Sequence, residues 1–223
     1  MSASLILIQG ALPSLLAGAV ITIGTVLCAM LLGLVLGVPL SVLQIYGPAP
    51  ARFAVGIYVW FFRGVPILVL LYLFYFGICF SLGLDISAFA ASCLVLGLTS
   101  AAYQSQIFRG AINSLPAGQL KAARALGMDD LTAIVSILLP QALRLSIPGW
   151  SNEYSILLKD SVLVSVLGTM ELMFRTKAMA TTTEEFTAFY VTAAILYFLI
   201  TLLGVRLLRL LEKTLRIPGY THL

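Results

Sequence analysis

The feature that most constrains this 223-residue chain is where charge is missing. No charged residue precedes Arg52, and further uncharged windows run over 64–84, 86–108 and 186–205. The last three are each close to the ~20 residues a helix needs to cross ~30 Å of hydrocarbon. The first 51 residues read as one long helix from Ser14, because Leu5–Leu12 before Pro13 is too short to cross and no polar turn divides Ser14–Tyr46. Only 10% of the residues are charged, against about 25% in an ordinary soluble domain. With 61% hydrophobic residues and a mean hydropathy of +1.06, the composition excludes a soluble enzyme and predicts a single all-α integral membrane domain.

A fifth apolar segment, about 143–168, is interrupted by Glu153, Lys159 and Asp160. The expected spans are then about 14–46, 53–81, 87–109, 143–168 and 187–208, within one transmembrane domain covering 1–223. Lys and Arg concentrate on the cytoplasmic side of membrane proteins. Arg52 follows the first span, Arg109, Lys121, Arg124 and Arg144 separate the third and fourth, and Arg206, Arg209, Lys213 and Arg216 lie in the tail. The other connections hold Asp85, or Arg175 and Lys177 offset by Glu171, Glu184 and Glu185. Five helices with the N-terminus outside and the C-terminus inside satisfy this distribution. The start lacks a basic region and a small-residue cleavage site, so a cleavable signal peptide is not expected. A formal net charge of only +4 is absorbed by this orientation role and gives no footing for nucleic-acid binding.

Catalytic and metal chemistry has no candidates. Cys28, Cys79 and Cys93 lie in or beside apolar spans without metal-ligand spacing, and the only histidine is His222. They are expected to be buried, reduced thiols. No nucleophile–base pair can be assembled from one terminal histidine. A phosphate-cradling GxxxxGK[ST] motif is also missing from the sequence, so any ATP hydrolysis belongs to another chain.

The connection over about 113–140 carries the most specific pattern. Pro116 suits the first turn of a helix and Gly127 its left-handed end, which predicts a short helix over about 116–126. Asp129 or Asp130 then caps a second helix that ends before Pro140. Ala122, Ala123 and Ala125 would let the first helix sit closely in a partner's groove, although the same stretch also suits an amphipathic helix on the membrane surface.

Ala122-Ala123, three residues, Gly127, nine residues, Ile137, one residue and Leu139-Pro140 resemble the EAA loop of permease subunits of bacterial binding-protein-dependent ABC importers. Phe62-Arg63-Gly64-Val65-Pro66, Ala101-Ala102-Tyr103, Ile107-Phe108-Arg109-Gly110-Ala111-Ile112 and Leu139-Pro140-Gln141-Ala142-Leu143-Arg144 are similar to the polar amino-acid branch, which includes histidine, glutamine, arginine and cystine permeases. So are Ser151-Asn152-Glu153 and Leu158-Lys159-Asp160-Ser161. The resemblance covers roughly residues 14–215. It implies a type I ABC importer permease fold in the prokaryotic inner membrane. It also implies a second permease, identical or paralogous, an external amino-acid binding protein, and an ABC ATPase dimer that binds ATP and Mg. A cytoplasmic coupling helix would dock on the ATPase through Lys121, Ala122, Ala123, Leu126, Gly127 and Met128. This chain would be a transport subunit and not an enzyme. Lys121 stands where the family usually has glutamate, and Gln106 where relatives commonly have glutamate; the first reversal predicts an acidic or neutral residue opposite Lys121.

Ionisable groups in hydrocarbon cost at least ~2.5–3.5 kcal/mol each and face a cavity or one another. Glu153 and Asp160 are seven residues apart and lie within about 20° of one face of a continuous helix. An ion pair of Lys159 with either carboxylate is one reading. The other is a mid-membrane amino-acid site in which Glu153, Asp160 and Lys159 supply both signs, Asn152 an amide, and Thr99, Tyr103 and Gln104 further polar groups, with Ser100 read as an interhelical hydrogen bond. Two carboxylates against one lysine favour a cationic or zwitterionic amino acid. An autonomous ion-coupled transporter or membrane scaffold is the alternative, but it has no use for an ATPase-docking loop. Elsewhere, Pro66 kinks the second span and Arg63 marks its cytoplasmic start. Tyr72, Phe74, Tyr75, Phe76 and Phe80 read as lipid-facing or packing surface, and Gly33 and Gly37 as a close-packing GxxxG pair.

Overall fold

In a computed structural model, which describes residues 2–215, the uncharged start of the chain is one helix, α1 (Ser2–Tyr46). It begins twelve residues before the expected Ser14 and runs through Pro13 and Pro39. Each proline removes one backbone donor, but in an apolar setting unwinding a turn would strand several, so the helix continues. Its 45 residues amount to about 68 Å at 1.5 Å each, more than twice the hydrocarbon thickness.

Gly47 and Pro48 turn the chain into α2 (Ala49–Gly64), which buries Val55, Val59 and Phe62 and exposes Phe53 and Trp60. The kink expected at Pro66 is a full break of 107° between α2 and the helix that follows. Val65 is extended there (φ −91°, ψ 132°), the conformation that a following proline imposes on its neighbour. The chain resumes as α3 (Ile67–Tyr72) and continues in π-helical turns over Leu73–Cys79.

Ser87 caps α4 (Ala88–Asn113) by accepting the Ala90 N–H at 3.2 Å. This central helix buries small and polar residues, among them Gly97, Ser100, Ala101, Ala102 and Ser105. Its longest partner is α1. The Gly33/Gly37 pair lets the two backbones approach: a methyl group at Gly37 would lie 3.1–3.2 Å from Gln104 Cβ, the Ala101 oxygen and the Ser105 nitrogen. The main core fills the space around α4 with Val26 and Met30 of α1, Phe62 of α2, Leu70 and Leu71 of α3, and Leu157 and Leu158 further on.

The expected loop helix is α5 (Gly118–Ala125). It ends in a Schellman motif, with Met128 N donating to the Ala123 oxygen (3.1 Å), Gly127 N to the Arg124 oxygen (3.0 Å), and Gly127 at φ 84°. Asp129 caps α6 (Asp130–Ala133) by accepting the Thr132 N–H at 3.0 Å. The helix does not stop before Pro140. It passes through π-helical turns at Ile134–Leu138 into α7 (Leu139–Leu145), where Pro140 sits in the first turn. The missing proline N–H falls directly after the π-helical turns, where the regular i→i−4 ladder is already interrupted, so the rod loses little more by it.

After a 55° bend the chain enters α8 (Ile147–Asp160), prolonged by a 3-10 segment at Ser161–Leu167. Pro148, in its first turn, accounts for the bend, since a proline cannot donate to the preceding turn. Glu171 caps α9 (Leu172–Thr183), and α10 (Phe186–Leu215) completes the chain, packing against α8, α9 and α1. Among the described residues there is no strand. Three helices are long and apolar enough to cross a membrane, and there are five if each bent pair forms one span. Of the cysteines Cys79 is buried, but Cys93 is only half-buried and Cys28 is exposed on α1, so the expectation of burial fails for the last two. Arg216 and His222 lie outside the described residues.

Candidate functional site at the junction of α1, α4 and α8

A chain of polar side chains crosses the apolar core where α1, α4 and α8 meet. Gln104 sits at its centre. Its Nε2 donates to the Met30 carbonyl oxygen and to Ser100 Oγ, each at 3.0 Å, and its Oε1 accepts the Trp150 indole N–H at 2.7 Å. Ser100 Oγ then donates to Glu153 Oε1 at 2.9 Å. The chain is held together by the absence of a side chain at Gly33, where a methyl group would collide with Gln104 Nε2 and lie 2.8 Å from Ser100 Oγ.

Glu153 is 3% exposed. Its carboxylate accepts this one bond among the described residues, whereas an ionised carboxylate offers about four acceptor positions. Lys159 does not neutralise it: the only ion pair among the described residues is Arg124–Asp130. The ion-pair reading of α8 is therefore not realised. Lys159 and Asn152 are exposed and Asp160 is half-buried on the same uninterrupted helix. A buried carboxylate with unused acceptors is an unfavourable arrangement that a cationic or N–H-bearing ligand would relieve.

Two further groups border the junction. The Thr99 hydroxyl is buried and is the only buried side-chain polar atom without a hydrogen-bond partner among the described residues. Tyr103, half-buried, lies under the Arg63 guanidinium, whose central carbon is 5.0 Å from the ring centroid. Arg63, exposed and in the last turn of α2, thus lies over α4. Gln106 does what a neutral amide can, donating to Gln44 Oε1 of α1 at 2.8 Å.

The loop residues form a separate surface. Lys121, Ala122 and Gly127 are exposed, Leu126 is 84% exposed and Met128 is half-buried. Ala123, at 2% exposure, turns into the chain's own core and offers no surface to a partner. Arg124 and Asp130 pair bidentately at 2.6 and 2.8 Å. This guanidinium holds the Asp130 carboxyl below the usual carboxylate range, and hydrogen bonding from Thr132 does the same for Asp129.

A family model described as "Binding-protein-dependent transport system inner membrane component" matches residues 29–217. The chain belongs to this family. The permease is 36% identical over 202 residues to the octopine transport system permease protein OccQ of Rhizobium meliloti, covering 86% of this chain and 85% of the relative. It is 32% identical over 214 residues to the arginine ABC transporter permease protein ArtQ of Escherichia coli K12, with 86% and 90% covered. The crystal structure of an amino acid ABC transporter with histidines superposes with a TM-score of 0.83 at 30% identity, covering 93% of this chain and 96% of that one. As in other ABC permease subunits, the ATPase is not in this chain.

Three residues of the permease carry more structure than their sequence suggested. Trp150 gave no signal beyond its hydrophobicity. Arg63 read as an orientation charge. Glu171 read as a solvent-side charge between spans, yet it is fully buried. It accepts Tyr197 OH at 2.6 Å, Thr22 Oγ1 at 3.3 Å and the Phe174 N–H at 2.7 Å, tying α1, α9 and α10 together. Unlike Glu153, its acceptors are largely used, which marks it as a structural carboxylate.

Proposed function

We propose that this permease imports a cationic or zwitterionic polar amino acid across the prokaryotic inner membrane, as one half of a permease pair. The bent pairs α2–α3 and α6–α8 each count as one span, giving five with the N-terminus outside and the C-terminus inside. An external binding protein delivers the amino acid. A separate ATPase dimer, holding ATP and Mg, engages Lys121, Ala122, Leu126, Gly127 and Met128 around α5 and drives alternating access. Ala123 contributes by seating α5 on the chain's own core.

The observation that carries this reading is the Glu153 carboxylate: buried, fixed by one bond to Ser100, and free to accept an ammonium or guanidinium group. Asn152 precedes it and Lys159 and Asp160 follow it along α8, and Thr99 and Tyr103 stand on the neighbouring helix α4. Relatives whose names specify octopine and arginine agree with a site richer in carboxylates than in lysine.

The test is uptake by the permease reconstituted with its ATPase and binding protein. Glu153→Ala or Asp160→Ala is expected to lower substrate-stimulated transport at least about tenfold, the loss of ~1.4 kcal/mol or more of interaction with a charged ligand. Assembly with the ATPase should be intact. Unchanged uptake kinetics in both variants would refute the assignment.

A further inference from the structure

An amino acid brings an ammonium group and a carboxylate separated by a single carbon atom. Glu153 answers the first, and the second needs a donor of opposite charge within reach of the same site. Lys159 has the right sign and, like Arg63, an exposed side chain, but among the described residues it makes no hydrogen bond or ion pair and stacks on no ring of the junction. Arg63 is placed differently. It stands in the last turn of α2, just before the 107° break, with its guanidinium over Tyr103.

Tyr103 follows Ser100 by three residues on α4, so the two side chains are neighbours on one face, with Cβ atoms about 5–6 Å apart. Ser100 holds Glu153 at 2.9 Å, and Tyr103 holds Arg63 at 5.0 Å. One turn of α4 therefore carries a carboxylate at one end and a guanidinium at the other. The two do not form an ion pair with each other. The ring attracts the guanidinium through its π face and takes none of its five N–H donors in a conventional hydrogen bond. Among the described residues none of them donates a hydrogen bond. A planar fork of free donors matches a carboxylate bidentately, which a lysine cannot do.

We infer that Arg63 is the residue that binds the α-carboxylate of the transported amino acid, with Tyr103 orienting it. This rests on the reading of Glu153 as the ammonium partner. Specificity for an α-amino acid over the corresponding amine is then set on α2, at the break between α2 and α3, while the amino group is read from α8.

Binding to the purified permease–ATPase complex tests this, with L-arginine, L-histidine and L-glutamine as probes beside agmatine, histamine and 4-aminobutanamide, which lack the carboxylate. The wild type should favour an amino acid over its amine by about 10–100-fold, the range of a charge-assisted pair. Arg63→Gln should remove that preference while leaving affinity for the amine unchanged, and Lys159→Gln should preserve it. If Arg63→Gln does not assemble, Arg63→Lys decides, since a tenfold loss confined to the amino acid supports the assignment and equal affinities overturn it. Parallel loss of amino acid and amine in the Arg63 variants, or loss of the preference in Lys159→Gln, also overturns it. Glu153→Gln should weaken both ligands alike. If it weakens neither while Arg63→Gln still abolishes the preference, the Glu153 reading fails and the Arg63 assignment stands.

Discussion

Adding one methyl group at Gly33 should disrupt the polar junction from the side opposite the substrate residues. The new carbon would overlap Gln104 Nε2 and lie 2.8 Å from Ser100 Oγ. Both atoms are side-chain ends that can swing away, but only by giving up the hydrogen bonds that fix them. Moving Gln104 breaks its bonds to the Met30 oxygen and to Ser100. Hydrogen bonds between membrane helices average ~0.6 kcal/mol each, and overpacking a close contact costs ~1–3 kcal/mol, so Gly33→Ala should destabilise by roughly 2–4 kcal/mol. At ~2–4 °C per kcal/mol for a chain of this size, the apparent Tm of the detergent-purified complex should fall by about 4–16 °C. Gly56→Ala is the control, because nothing lies within 4 Å of a methyl group there. The double variant Gly33→Ala/Gln104→Ala should be less unstable than the sum of its parts, since shortening Gln104 relieves the overlap. A Gly33→Ala protein that melts with the wild type, or strict additivity in the cycle, would show that α1 and α4 are not packed as described.

Other outcomes follow from the same geometry. Tyr197→Phe removes the 2.6 Å donor to buried Glu171 and should cost about 1–3 kcal/mol, read as a lower Tm, whereas Tyr190→Phe on the exposed side should be silent. Gly127→Ala places a side chain at φ 84°, a strain of about 1–2 kcal/mol on the end of α5, and should lower ATPase activity stimulated by loaded binding protein without blocking membrane insertion. Lys121→Glu should reduce co-purification of the cognate ATPase, and undiminished recovery would exclude an acidic residue opposite Lys121. The Asp130 carboxyl is depressed by Arg124, so the ion pair is complete above the ordinary aspartate value of ~3.9 and is lost as pH falls through the lower folded value. Faster amide exchange over 124–130 on acidification, mimicked at neutral pH by Asp130→Asn, is the expected sign.

The apolar windows and the turn residues of the loop were legible because each rests on local physics. Gly127 ends α5 in the left-handed region, and Asp129 caps α6. The prolines were harder. Pro13 and Pro140 were read as limits, yet the helices run through them, because the cost of one lost donor is judged against what unwinding would expose. Pro66, read as a kink, breaks the chain outright because Val65 before it turns extended. The site divides in the same way. Glu153 stood out as an expensive charge in an apolar run, but whether Lys159 paired with it depended on rotation and depth that spacing alone does not give. Glu171 departs from its reading for one reason: a charge near the end of an apolar window looks like a boundary until distant elements fold over it.

The helical rod from Asp130 to Leu145 has a mechanical consequence. It joins the end of α5 to the start of α8 with a single residue, Ser146, between rod and helix. Ile134, Leu138 and Ala142 rest on Ala111, Ile112 and Leu115 at the end of α4. The rod is about 24 Å long, and with Ser146 as pivot a displacement of ~4 Å at its α5 end corresponds to a swing of about 10°. The pivot lies seven residues before Glu153, so the arc is delivered to α8 only two helical turns from the buried carboxylate.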